Sequence, residues 1–422
     1  MVDNKKHYNL IVVGGGLSGV ACAVSAAREG LKVLLIEKTG CLGGAISNNL
    51  VYPFMKFWEY DENAERLQYL SAGVFTEMRE TANSFEQATN DMNFKPESFK
   101  RALDKMVIDA GVDVLFHTTV YDVQTQGDKV RGVHALAKSG AMTFTADFFT
   151  DATGDGELIA HAHCDLQKGR ESDGRCQPMT TCFRMCNVDL VKLEKEYSIL
   201  QEKYKQAREA GKIKNPRENI LTMRGISEGI LHLNTTRIIG LDPTDVFDLS
   251  KAEMLGREQV YEMVEFLKQN SEAFKNATVI SIANEIGVRE SRKLKGLHVL
   301  TADELKACTI FKDSIAVGNY EIDIHNPSGT GTYLYYFKKG EKYTIPYRCL
   351  VPKEYTNMLV AGRCLSATHE AHSAVRIMPI CACLGQGAGT AIAIAHQTNA
   401  NTHTVDTQLI RQRLKENGAY II

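Results

Sequence analysis

The feature that most constrains this chain is a glycine triplet, Gly14-x-Gly16-x-x-Gly19, set between the apolar run Asn9-Leu-Ile-Val-Val13 and a stretch of small residues. An uninterrupted apolar run marks a strand covered on both faces, and the small residues after the glycines read as a helix. The first glycine permits a tight turn, the second lets backbone approach a pyrophosphate, and the third allows helix and strand to pack closely. The helix N-terminus then turns its free N–H groups and positive dipole end toward the phosphates. A second apolar strand ends at Glu37, close to the ~20-residue spacing at which a carboxylate meets a ribose hydroxyl. The order strand, turn, helix, strand predicts a parallel sheet with a right-handed crossover. The expected fold class is α/β, with a Rossmann-like dinucleotide-binding domain.

The loop after Glu37 selects the dinucleotide. Lys38-Thr-Gly-Cys-Leu-Gly43-Gly44 places a double glycine directly after the carboxylate, where a nicotinamide dehydrogenase would continue its sheet. Such a loop can run its backbone along an extended FAD molecule. The turn Ala152-Thr153-Gly154-Asp155 supplies a second close backbone approach. A second GxGxxG is missing, so no dedicated NAD(P)H domain is expected.

Composition narrows the partners. Lys and Arg number 49 against 51 Asp and Glu in 422 residues, so no long-range field favours nucleic acid or an anionic membrane. Eleven cysteines scattered through so long a chain read as free thiols in a reducing cytoplasm. The uncharged run Pro379–Ala395 is short for a bilayer span and rich in Gly and Ala, which suits a helix buried in protein. A small-molecule substrate, with a redox partner protein as a further option, is the expected company.

Along the chain, residues 61–110 read as helices, one of them spanning about Lys95 to Ala110 and closed by Gly111. Val112–Val123 is a strand candidate, and Lys129–Ala137 with Met142–Phe149 reads as a β-ribbon. An apolar strand then returns at Phe148–Asp151. Residues 230–239 alternate as a strand would, Asp248-Leu-Ser250 caps a long helix to about Gln269, and Thr301-Ala-Asp-Glu304 has capping-box spacing. The organisation expected is a first part of the FAD domain at 1–155, an inserted α+β substrate domain at 156–342, and a return at 343–422.

These motifs together resemble the FAD-dependent oxidoreductases of the glutathione-reductase superfamily, in the heterodisulfide-reductase-A-like and fumarate-reductase-like group. The resemblance runs through the fingerprint, Leu42-Gly-Gly44, Val51-Tyr-Pro-Phe-Met55, Asp151–Gly156, Gly287-Val-Arg-Glu-Ser-Arg292, Asp323-Ile-His325, Ile345-Pro-Tyr-Arg348 and Val360–Gly389. It implies FAD held non-covalently between the N-terminal strands and the Gly385-Gln-Gly-Ala-Gly389 helix. The cofactor candidates are Gly14, Gly16, Gly19, Glu37, Lys38, Gly43 and Gly44, then Val120, Ala152, Thr153 and Gly154, and finally Gly362, Arg363, Gly385 and Gly387. Two departures stand out. No Cys-x-x-Cys run exists for an iron–sulfur cluster, and Gly362-Arg363 replaces the Gly-Asp of many relatives.

The polar cluster Arg363, His369, Glu370, His372 and Arg376 is placed by the resemblance beside the flavin ring. A histidine suits proton transfer near neutral pH, and an arginine can hold a carboxylate or an oxyanion. His369, His372 and Arg376 are the catalytic candidates. The His369-Glu-Ala-His372 spacing is one residue short of the zinc-protease pattern, so no metal is expected. Arg289 and Arg292, at helical spacing, and His325, on one strand face with Asp323, are the substrate candidates. Cys381 and Cys383 could form a flavin-adjacent redox pair, but small buried packing residues fit them better. The function expected is hydride transfer between FAD and a small polar organic substrate. The alternatives are a flavin monooxygenase or oxidase, a flavin-dependent RNA-modifying protein, and an electron-transfer subunit.

Overall fold

The computed structural model describes residues 7–61 and 65–422. A seven-stranded sheet runs in the order Asp113–Leu115, Val33–Ile36, His7–Val13, Gly140–Asp151, Lys129–Ala137, Thr119–Gln126. Met358–Val360 is the seventh strand, paired parallel to the end of Gly140–Asp151. Leu10–Val13 lie parallel to both Val33–Ile36 and Phe148–Asp151. The first half of Gly140–Asp151 pairs antiparallel with Lys129–Ala137. A single 12-residue strand thus closes the ribbon and enters the parallel sheet, where two elements were expected.

The helices Leu17–Arg28 and Met378–Thr398 cover this sheet together, and their small residues are a packing demand. A Cβ added at Gly385 would lie 2.0 Å from the Ser18 carbonyl oxygen, and one at Gly389 2.3 Å from that of Cys22. Among the described residues, Met378–Thr398 is the one helix long and apolar enough to cross a membrane. Its apolar window is 94% buried inside the protein, which is the placement expected for Pro379–Ala395.

A four-stranded antiparallel sheet, Thr222–Met223, Leu231–Leu233, Phe183–Cys186 and Thr278–Ile282, forms a second layer. Phe183, Met185, Leu231 and Leu233 point from one face of it into a separate core. Helices Leu190–Glu209 and Val246–Asn270 complete that core with Leu193, Val260 and Met263. Each such buried side chain contributes about 2 kcal/mol. The larger core takes in both the N-terminal strands and residues from Leu294 onward.

Local readings differ in places. Trp58–Asp61 and Arg66–Tyr69 form a hairpin that runs into the 61–110 stretch where helix was expected, and helices occupy Val74–Phe85 and Pro96–Asp109. Residues 62–64 lie outside the described residues. The strand candidate Val112–Val123 is broken by His117 at φ +52°. Only Leu231–Leu233 of the alternating 230–239 stretch is strand. The long helix begins at Val246, because Asp245 rather than Asp248 accepts the first N–H groups. The Thr301–Glu304 capping box is present on Ala302–Lys306.

Candidate active site

Four of the five parallel strands end at one edge of the sheet on a sequence motif: Gly14 after His7–Val13, Glu37 after Val33–Ile36, Ala152 after Gly140–Asp151, and Gly362 after Met358–Val360. Ligands of open α/β sheets bind at this edge. Gly14 sits at φ +102°, and a Cβ there would lie 2.5 Å from the Ala152 carbonyl oxygen. A Cβ on Gly19 would meet the Gly14 oxygen at 1.8 Å. Gly16 is different: an added Cβ meets nothing within 4 Å. Gly16 also N-caps Leu17–Arg28 without a side-chain cap, so the first-turn N–H groups face that open space. Gly44 packs on Gly16, and Gly43 N donates to the Gly15 carbonyl at 2.8 Å. An open glycine cradle at an uncapped helix N-terminus fits the pyrophosphate of FAD.

The flanking groups are firmly held. Glu37 is buried; it accepts from Gly15 N at 2.6 Å and from both Thr39 N and Thr39 Oγ1 at 2.8 Å. Lys38 carries its ammonium among the carboxylates of Glu157, Glu285, Asp155 and Glu37. Asp151 accepts from Thr153 and Ile159 and shapes the Ala152–Gly154 turn. Arg363 pairs with Asp155 at 2.9 Å, Ser291 Oγ donates to the same carboxylate, and Gly362 packs on Ser18. The remaining cofactor candidates occupy packed positions. Val120 is buried in the ribbon opposite Ala135, Gly385 packs on Ser18, and Gly387 packs on Ile315.

The three catalytic candidates cluster just before the helix Met378–Thr398. His372 is fully buried and donates from Nε2 to the Arg363 carbonyl at 2.8 Å, leaving Nδ1 without a partner. Burial and the nearby Lys293 hold it neutral, far below the usual histidine range. His369 Nδ1 lies 2.7 Å from Glu290, which is itself paired with Lys293. Arg376 leaves Nε buried without a partner. Cys381 and Cys383 are buried free thiols, both pushed up by burial to about 12, as packing residues would be.

The Val288–Lys293 run is not helical; Arg292–Leu294 is a strand beside Leu166–Lys168, and Arg292 Nε donates to the Asp155 carbonyl. Arg289 is only partly exposed and donates to the Pro178 carbonyl at 2.6 Å. Burial, then the charges of Arg376 and Arg217, push its guanidinium down. Asp323 and His325 do share a strand face, 3.6 Å apart. Arg237 lies 3.3 Å from His325 Nδ1, so that nitrogen accepts and His325 is neutral; burial and Arg289 lower it to about 3. Arg217, Arg237, Arg184 and His232 belong to the same neighbourhood, and the sequence offered no local signal for them. A separate cavity of about 350 Å³, lined by Lys312, Asp313, Arg348 and His403 among others, lies apart from these residues.

A family model described as FAD dependent oxidoreductase matches residues 9–414. The chain belongs to the FAD dependent oxidoreductase family. It is therefore a flavoenzyme, as the fingerprint and the Gly43-Gly44 loop led us to expect. It is 29% identical over 162 residues to the digeranylgeranylglycerophospholipid reductase of Methanocella arvoryzae, covering 36% of this chain and 40% of that one. It is 30% identical over 166 residues to the thiamine thiazole synthase of Methanoculleus marisnigri, covering 35% and 58%. The chain thus spans less than two thirds of these relatives. Among solved structures, a geranylgeranyl bacteriochlorophyll reductase-like protein from Thermoplasma acidophilum matches with a TM-score of 0.47 at 15% identity, covering 98% of this chain and 84% of that one. The p-nitrophenol 4-monooxygenase of Pseudomonas putida matches with a TM-score of 0.46 at 11% identity, covering 98% and 84%.

Proposed function

We propose that this oxidoreductase transfers a hydride between FAD and a small polar organic substrate, in a chamber between the strand ends and the inserted segment 156–342. Within its family we place it with the heterodisulfide-reductase-A-like flavoproteins, on the strength of the Gly287–Arg292, Ile345–Arg348 and Val360–Gly389 segments. The observation that carries the proposal is the open Gly16 cradle beside the segment from Arg363 to the helix His369–Val375 and its C-cap Arg376. FAD, when bound, supplies the hydride acceptor or donor. Gly14, Gly16, Gly19, Gly43 and Gly44 give it close backbone approach, and Glu37 takes the ribose. His372 holds the Arg363 turn in place, His369 lies against the buried Glu290 carboxylate, and Arg376 faces the substrate. Arg376→Ala is expected to retain FAD and lose turnover by about 100-fold or more, the range for one positioned charge. Loss of FAD together with activity would make Arg376 structural instead. Anaerobic mixing with NADPH or NADH tests the electron source: bleaching of the flavin points to a reductase or a monooxygenase, and an unchanged flavin directs the search to an organic donor.

A further inference from the structure

One face of the four-stranded sheet packs into the second core, and the other face carries a row of polar side chains. Arg184 stands opposite His232 on one neighbouring strand and opposite Ser281 on the other. All three bring buried atoms without a hydrogen-bond partner: Arg184 Nε and Nη2, both ring nitrogens of His232, and Ser281 Oγ. His232 is completely buried and Arg184 is 8% exposed. Such groups are costly to leave unsatisfied, so a row of three needs an explanation.

The row looks toward the flavin side of the molecule. The Tyr52 ring lies 5.6 Å from His232, and Leu50 packs with Cys182 and Ala283 on the same face. Asn49 donates to the carbonyls of Glu285 and Ile286, which lead directly to Arg289. The segment that begins with the Gly43-Gly44 loop therefore lies beneath the row. Charge concentrates here. Arg289, Arg184 and Arg217 all bear on Cys182, while Arg376, Arg217 and Arg237 bear on Arg289. Arg237 has Glu218 at 3.4 Å, and Asp323 lies near Arg289. Glu97 acts on Arg184 only from a distance. Among the described residues, Arg184, Arg289 and Arg376 are in ion-pair contact with no carboxylate.

The geometry points to an organic acid as the substrate, its carboxylate or phosphate received by Arg184, Arg289 and Arg376, with His232 and Ser281 completing the shell. The unfilled donors, Arg184 Nε and Nη2 and Arg376 Nε, are those an oxyanion satisfies, because guanidinium groups match its planar oxygens. Neutral His232 offers one donor and Ser281 a rotatable hydroxyl. A neutral substrate would leave the buried Arg184 donors without a partner. This rests on the chamber assigned above and adds the charge class of what enters it.

The test uses FAD-loaded protein and needs no turnover. Malonate and succinate, inorganic phosphate, and neutral succinamide are titrated while the oxidised-flavin spectrum and the unfolding temperature are followed. An acid or phosphate is expected to shift both, in a salt-sensitive manner, and succinamide to shift neither; whichever anion binds tighter separates carboxylate from phosphate. Arg184→Met and Arg289→Met are each expected to weaken that binding at least about tenfold with FAD retained. Should one variant misfold, Arg184→Lys serves, since it keeps charge but loses the fork. Anions that shift neither signal, succinamide binding as tightly as the acids, or variants binding like wild type would overturn the inference. Anion binding to a flavin that never exchanges electrons with any organic compound would retain this inference and defeat the hydride reading. Turnover of an uncharged substrate would do the reverse.

Discussion

Gly16→Ala protein is expected to fold as the wild type does and to bind FAD about 10- to 100-fold more weakly, equivalent to about 1–3 kcal/mol of overpacking against the pyrophosphate. At φ −67° and ψ 179°, Gly16 has a backbone conformation that alanine adopts freely. The added methyl meets no protein atom within 4 Å, so the unliganded protein has no reason to lose stability. Gly19→Ala is the contrasting case. Its methyl would lie 1.8 Å from the Gly14 carbonyl oxygen, and the helix and turn must separate to admit it. Titration of the apoproteins with FAD, alongside their unfolding temperatures, distinguishes the two. Unchanged FAD affinity in Gly16→Ala would show that the pyrophosphate lies elsewhere.

The second large effect concerns the buried pair Glu290–Lys293 beside His369. Glu290 and Lys293 side chains are both completely buried and in contact. Gln177 N also donates to Glu290 at 3.1 Å, and Lys293 donates to the Gly169 carbonyl at 3.2 Å. Burial pushes the Glu290 carboxyl up, but His369 and Lys293 outweigh it and hold the group at about 2. Its folded value is thus below the unfolded one, so its contribution is complete above about pH 4.3. It is lost as pH falls through about 2. Lys293→Met leaves a buried carboxylate without its main counter-charge, at a cost of about 3–5 kcal/mol near neutral pH. Part of that deficit should vanish on acidification, as Glu290 takes up a proton at a now raised value. Adding Glu290→Gln should recover much of it at neutral pH, because the pair is coupled. Denaturant unfolding of the single and double variants measures this. Equal stability of Lys293→Met and wild type would mean the pair contributes nothing net.

The features legible in the sequence are those that depend on near neighbours. The fingerprint glycines sit in a turn completed within a few residues, so the strand ends at Gly14 and Glu37 and the Ala152–Gly154 turn were legible in the sequence, although the Gly14 contact with Ala152 is long-range. The Thr301 capping box and the shared face of Asp323 and His325 are local in the same sense. The substrate side was much less accessible. Arg184, His232 and Ser281 come from strands separated by more than forty residues, and only the sheet register places them in one row. The run around Arg289 has helical spacing yet is extended, because Arg292–Leu294 pairs with Leu166–Lys168. The burial of His372 against the Arg363 carbonyl could not be read from the sequence.

The measurement that bears most directly on the central claim is turnover of an organic acid under strict exclusion of dioxygen, with a dye as electron acceptor or with flavin reduced beforehand. Hydride transfer predicts that the flavin changes redox state at the same rate without dioxygen as in air, two electrons for each substrate converted. Turnover that stops when dioxygen is removed, and returns with oxygen built into the product, would contradict it.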